Sequence, residues 1–303
     1  MRPIMQHTPN VIIIAGATAT GKTALAVQLA SELATEIISA DSRQCFRELS
    51  IGVARPTEDE LATIPHHFIA TQSITDPSNA GLFEQMALQK VSELFANHST
   101  VIMCGGTGLY IKAFMEGIDP MPEVPQSVRE AIEQEYQAKG LIWLQRELQH
   151  RDPAFWKQAE QQNPRRLQRA LEVFQATGKS ILAFRNATPA KRSFAITPLV
   201  VSVPPEVLRK RIIERVNTMM ELGLLEEVKS VFNFRHLPAL QTVGYRELIN
   251  HLEGKCSLNE SIQQIKTNTW QYARRQITWF KKQPGFLHLP ANEISLKKIQ
   301  SLG

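Results

Sequence analysis

Residues 16 to 23 read Gly16-Ala17-Thr18-Ala19-Thr20-Gly21-Lys22-Thr23, which fits the pattern G-x-x-x-x-G-K-[ST]. Residue types at this spacing prescribe a chemistry. Gly16 and Gly21 let the backbone curl until successive amides point inward, where they hold phosphate oxygens. Lys22 adds a cation, and Thr23 offers a hydroxyl to a magnesium ion that bridges it to the phosphates. The pattern specifies phosphate without specifying a nucleotide. A second chemical group follows at Asp41, within Ser39-Ala40-Asp41-Ser42-Arg43-Gln44. A carboxylate beside a phosphate loop suits a general base or a magnesium contact. Further along, Arg211 and Arg215 stand four apart, a spacing that puts both on one helix face and within reach of a diphosphate.

The surrounding elements are those such groups need. Val11-Ile12-Ile13-Ile14-Ala15 is a continuous apolar, mostly β-branched run, as in a parallel strand buried on both faces. Leu25, Leu29 and Leu33 recur every fourth residue and predict a helix from Thr23 to Ala34, so the loop joins a strand to a helix. Ile37-Ile38-Ser39 predicts a second short strand ending beside Asp41, and His67-Phe68-Ile69 a third. Phe83 to Ala96 predicts a helix, and Val101 to Cys104 a further buried strand. This alternation predicts an α/β fold with a P-loop NTPase-like parallel sheet and its site at the carboxyl edge of the strands. Pro120, Pro122 and Pro125 interrupt the pattern. From Gln126 to Gly178 the chain reads as helices alone, broken at Gly140, Pro153 and Pro164, with Asn163 as an N-cap. Strand character returns at Leu199 to Val203. Helices near Glu206 to Leu222 and Leu258 to Lys282 follow, then a strand at Phe286 to Leu289. The expected division is a first core part over 1–120, an α-helical insertion domain over 121–190, and a second core part over 191–303 ending in basic helices.

With 303 residues, 43% hydrophobic and 21% charged, a disordered or fibrous chain is excluded. The net charge of +5 is unevenly placed. Residues 1–190 carry 17 basic and 20 acidic side chains, against 17 and 9 over 191–303. The second part can face a polyanion. Cys45, Cys104 and Cys256 lie far apart without a C-x-x-C pair, so neither a disulfide framework nor a structural zinc site is suggested. Val11 to Ala15 is far too short to span a membrane, and Met1 to Asn10 lacks the form of a signal peptide. A cytoplasmic protein without a membrane partner is expected. In phosphate-loop hydrolases a second buried strand ends in a magnesium-holding Asp, whereas Val101 to Cys104 runs into Gly105-Gly106-Thr107-Gly108, which counts against a motor or switch ATPase.

The residues resemble a known family, the tRNA dimethylallyltransferases, also called tRNA isopentenyltransferases. The matching blocks are Gly16 to Thr23; Asp41-Ser42 with Arg47; Ile51-Gly52 with Arg55-Pro56-Thr57; and Gly105-Gly106-Thr107 with Leu109-Tyr110. Arg166-Leu167 through Arg169 to Val173, Val243-Gly244-Tyr245-Arg246 and Arg274 to Trp279 complete the set. These blocks run in order along most of the chain. The resemblance implies that the bound phosphates are those of dimethylallyl diphosphate. It implies an acceptor at the exocyclic N6 of the adenosine just 3′ of the anticodon, tRNA position 37, in tRNAs reading codons that begin with U. It also implies that Asp41 activates that amine, that Lys22 and Thr23 with magnesium neutralise the leaving diphosphate, and that Thr107 lies at the reaction channel. Ser42, Arg43 and Gln44 would meet the flipped base and its neighbours. The anticodon arm would be held by Arg165, Arg166, Leu167, Gln168 and Arg169 and by Gly244, Tyr245 and Arg246. The chain departs from the family pattern at Ala17, where proline is usual, at Thr20, where serine is usual, and at Cys45-Phe46, where an aliphatic-tyrosine pair is usual. No C-terminal Cys/His finger is present, as in the shorter bacterial form, and a monomer is expected.

Three other readings compete. A small-molecule P-loop kinase would use the same loop for ATP and place arginines over the transferred phosphoryl group. A nucleic-acid-binding ATPase would use the loop without transfer. An adenylate dimethylallyltransferase would share the donor chemistry, but a mononucleotide needs neither the arginine-rich insertion nor the basic C-terminal part.

Overall fold

The computed structural model describes residues 8–185 and 188–301. Chain contacts divide it into two compact units, Met1–Gly117 with Lys191–Gly303, and Ile118–Ala190. In chain order the first unit contains β1 (Asn10–Ala15), α1 (Lys22–Leu33), β2 (Ile37–Ser39), α2 (Glu58–Thr63), β3 (His66–His67), α3 (Ala80–Leu94), β4 (Thr100–Gly105) and α4 (Gly108–Glu116). The second unit contributes α5 (Gln126–Arg151), α6 (Pro153–Trp156) and α7 (Pro164–Thr177). The first unit resumes with β5 (Ala195–Ser202), α8 (Pro205–Glu221), α9 (Leu224–Ser230), α10 (Tyr245–Leu252), α11 (Leu258–Lys281), β6 (Leu287–Pro290) and α12 (Leu296–Gln300).

The six strands form one parallel sheet in the order β3-β2-β4-β1-β5-β6. Alternation along β1 builds both layers. Val11, Ile13 and Ala15 join Phe83 and Ala87 of α3, Ile111 and Phe114 of α4 and Phe280 of α11 on one face. Ile12 and Ile14 join Leu25, Ala26 and Leu29 of α1 and Ile299 of α12 on the other. The register pairs Ala15 with Gly105 and Ser39 with Cys104. The ends of β1, β2 and β4 are therefore level, and the segments that leave them meet at one edge of the sheet. β3 is shorter than the run His67-Phe68-Ile69 suggests, because Phe68 turns into the left-handed region at φ 66. α2, α4, α9, α10 and α12 are additions that apolar periodicity did not single out.

The second unit has its own core, in which Leu144 and Leu148 of α5, Phe155 of α6 and Leu167, Ala170 and Leu171 of α7 are buried together. Gly140 breaks α5 with φ 70 and ψ −168. Asn163 caps α7 through Oδ1, which accepts from the Arg166 amide at 3.3 Å. Among the described residues no helix is long and apolar enough to cross a membrane.

Candidate active site

The loop after β1 turns on Gly21, whose φ of 87 favours glycine, and enters α1 directly. Ala19 also lies at positive φ, 63, a conformation held by its surroundings rather than preferred by alanine. Those surroundings are visible. Ala17 and Ala19 pack on Leu208 and Ile212 of α8 and Ala273 of α11. Thr20 is buried with Oγ1 donating to the Ala17 carbonyl at 2.9 Å, so threonine fills the usual serine position by turning inward. Lys22 Nζ donates to the same carbonyl at 3.2 Å. Burial lowers the Lys22 ammonium from its ordinary value, with Asp41 opposing and Arg215 reinforcing that shift. Arg211 and Arg215 of α8 both reach the loop, Arg211 Nη1 at 3.3 Å from the Thr20 carbonyl and Arg215 Nη1 at 3.3 Å from Thr18 Oγ1.

The turn after β2 is organised by Asp41. Its Oδ1 accepts from the Arg43 amide at 2.9 Å and the Gln44 amide at 3.3 Å, while Oδ2 has no hydrogen-bond partner among the described residues. Thr107 Oγ1 accepts from the Ser42 amide at 3.0 Å and lies 3.3 Å from Ser42 Oγ, so its hydroxyl ties two loops together. Gln44 donates through Nε2 to the Ala54 carbonyl at 2.8 Å. Phe46 is buried in the apolar cluster with Leu49 and Leu248, where its ring needs no hydroxyl partner.

A cavity of about 380 Å³ unites these segments. Thr18, Ala19, Gly21, Lys22 and Thr23 line it from the loop, and Asp41, Ser42, Arg43 and Gln44 from the turn. Arg215, Val216 and Met219 line it from α8, Gly244 from the segment before α10, and Ile265, Thr269, Tyr272 and Gln276 from α11. Polar groups line it beside the loop and the turn, and α8 and α11 add both polar side chains and the apolar ones of Val216, Met219 and Ile265. Its thiol, Cys104, is buried and pushed up to about 12, and neighbouring Cys45 is raised to about 11 by burial first and Asp41 second. Both are protonated at neutral pH and are not nucleophiles. The donor set fits magnesium carried on a diphosphate. Thr23 Oγ1 has no intramolecular partner among the described residues, Asp41 and Glu60 share the wall, and no group of three or more His, Cys, Asp or Glu there forms a protein-only metal cage.

Two expected RNA-facing side chains are placed elsewhere. Tyr245 is fully buried, its hydroxyl donating to Glu227 Oε1 at 2.6 Å, and an aromatic ring so enclosed offers no face to a base. Leu167 is fully buried in the core of the second unit, as its apolar position on α7 dictates. On the same helix Arg165 is exposed without an ion pair among the described residues, Arg166 pairs with Glu160 at 3.2 Å, and Arg169 pairs with Glu172 at 3.3 Å. Gln168 Nε2 donates to Glu133 of α5 at 2.6 Å. Arg246 is half exposed, 3.2 Å from Glu247. Sequence reasoning assigned no role to Gln276 or Glu227. Glu227 accepts from the amides of Ser50, Ile51 and Gly52 at 2.8, 2.8 and 2.9 Å, a role that has no signature in spacing.

Known proteins are similar to this chain in sequence and in fold. A family model described as IPP transferase matches residues 44–283. The tRNA dimethylallyltransferase of Christiangramia forsetii is 44% identical over 273 residues, covering 90% of each chain. Among solved structures, the tRNA isopentenylpyrophosphate transferase of Bacillus halodurans is similar at TM-score 0.70 and 30% identity, covering 97% of this chain and 94% of that one. A eukaryotic dimethylallyltransferase acting on tRNA is similar at TM-score 0.78 and 26% identity, covering 95% and 75%. A match across most of the chain, including the wall-forming helices α8 and α11, accompanies the shared fold, and the chain belongs to the IPP transferase family of tRNA dimethylallyltransferases.

Proposed function

We propose that this protein transfers the dimethylallyl group of dimethylallyl diphosphate to N6 of adenosine 37, next to the anticodon, in tRNAs reading codons that begin with U. The observation that carries the reading is the single cavity lined by both the phosphate loop and Asp41. The allylic C–O bond breaks as the N6–C bond forms, and the products are N6-dimethylallyladenosine and diphosphate. Loop amides and Lys22 receive the charge that develops on the leaving group, with Arg211 and Arg215 braced beside the loop. Thr23 would hold magnesium beside the diphosphate, where the ion would supply further neutralisation of that charge. Asp41 Oδ2 orients the weakly nucleophilic amine and takes its proton. Prenyl transfer is favoured over a kinase or an adenylate acceptor by the names of the relatives and by the arginine run of α7, which suits an anticodon arm. A cytoplasmic monomer acting on tRNA completes the proposal.

The test is label transfer from dimethylallyl diphosphate to unmodified tRNA, with magnesium required and ATP dispensable. Mass analysis of digested tRNA is expected to show dimethylallyladenosine. Phosphorylation of a nucleoside without prenyl transfer refutes the reading.

A further inference from the structure

One side chain touches both halves of the cavity. Gln276, on α11, is buried, with its Oε1 2.9 Å from the Thr18 amide and its Nε2 2.8 Å from the Gly106 carbonyl. A planar amide therefore accepts from the loop after β1 and donates to the turn after β4. The approach depends on glycine, because a Cβ on Gly106 would lie 2.6 Å from Gln276 Nε2. The adjoining Gly105 is pressed against the residue before Asp41, where an added Cβ would lie 2.2 Å from the Ala40 carbonyl. Ala40 is bonded on both sides, its amide to the Cys104 carbonyl at 2.7 Å and its carbonyl to the Thr107 amide at 3.2 Å. An unbroken chain of contacts thus runs from Thr18 through Gln276 and Gly106 to the backbone that aims Asp41.

We infer that Gln276 is a positioning residue that sets the distance between the phosphate loop and Asp41. The inference rests on the proposed function, in which the loop holds the donor and Asp41 meets the acceptor. Gln276 spends the Thr18 amide on itself, so diphosphate is left to the amides from Ala19 onward and to Lys22. Being neutral, it braces the loop without altering the charge that diphosphate meets, whereas glutamate here would place a negative charge beside it. Thr18 is gripped a second time by Arg215 of α8, so the loop keeps its shape when the Gln276 bridge alone is cut. The bridge therefore governs the alignment of reacting atoms more than the affinity for either substrate. A misplacement of about 1 Å can lower rate by about a hundredfold.

The test compares wild type with Gln276→Met, which keeps the length but removes both hydrogen bonds, and with Gln276→Glu, which keeps only the acceptor. For Gln276→Met the expected result is a kcat lower by about ten- to a hundredfold. Affinities for inorganic pyrophosphate by calorimetry and for tRNA are expected to stay within about threefold, since neither ligand loses a direct contact. Gln276→Glu is expected to weaken pyrophosphate binding as well. A Gln276→Met enzyme with unchanged kcat overturns the inference, as does a loss confined to tRNA affinity, which would make Gln276 an RNA contact. Hydrogen exchange at the Thr18 amide gives a readout without turnover. Protection in wild type that disappears in Gln276→Met supports the bridge, and equal exchange in both overturns it. A wild-type protein that transfers no prenyl group refutes the functional reading instead, and Thr18 exchange still decides on the bridge.

Discussion

Asp41 divides its work between two oxygens. Oδ1 closes the turn by accepting from Arg43 and Gln44, and Oδ2 has no such partner among the described residues. A substitution that deletes the side chain therefore confounds chemistry with folding, since Ala loses the turn and the proposed base together. Asn keeps an Oδ1 acceptor for both amides and replaces the other oxygen with a group that cannot take a proton. Asp41→Asn is expected to lower kcat by about a hundred- to ten-thousandfold, the usual range for a lost general base. Its thermal midpoint and its tRNA affinity are expected to match wild type, while Asp41→Ala is expected to lose thermal stability as well. A kcat within tenfold of wild type for Asp41→Asn would remove Asp41 from the proton path.

At the scale of elements, the motif Val243-Gly244-Tyr245-Arg246 reads differently in the fold than in the sequence. Its aromatic and its arginine suggest RNA, yet α10 begins with Tyr245 turned inward. The ring lies so close to Gly52 that a Cβ there would come within 2.6 Å, and the hydroxyl meets the carboxylate that gathers the Ser50 to Gly52 amides. Two blocks distant in sequence, Ile51-Gly52 and Gly244-Tyr245, are halves of one packing contact. Tyr245→Phe strips one donor from Glu227 and is expected to cost about 1–3 kcal/mol of stability. Denaturant titration measures this, and tRNA affinity in native buffer should not move. Weaker tRNA binding at unchanged stability would return the ring to the RNA. The contrast marks what was legible. β1, the loop, α1 and α7 carry local signals, namely β-branched runs, glycine punctuation and fourfold spacing, and the fold follows them. Gln276 and Glu227 act across more than a hundred residues, Gln276 on Gly106 and Glu227 on Gly52. No periodicity encodes such partners, and α10 is too short to announce which face is buried.

At the scale of the molecule, charge and connectivity favour a division of labour between donor and RNA. Residues 191–303 carry 17 basic and 9 acidic side chains, and α7 of the second unit adds Arg165, Arg166 and Arg169. The first unit keeps both chain connections to the second close together. Arg192 donates to the carbonyls of Phe114 and Ala113 at 2.8 and 2.9 Å and to Glu84 at 2.7 Å, which fixes the returning chain beside the end of α4. The cavity that joins the loop to Asp41 is lined wholly by first-unit residues. Replacing 118–190 with a short flexible linker therefore closes a small gap at little entropic cost. The shortened protein is expected to bind inorganic pyrophosphate within about threefold of wild type, because no group that would receive it has been removed. Its tRNA affinity is expected to fall, and the slope of log affinity against log salt to shrink by about two, as two or three phosphate contacts disappear with α7. An unchanged slope would assign RNA binding entirely to the basic C-terminal helices. Loss of pyrophosphate binding would show instead that the first unit needs the second to hold its loop in shape.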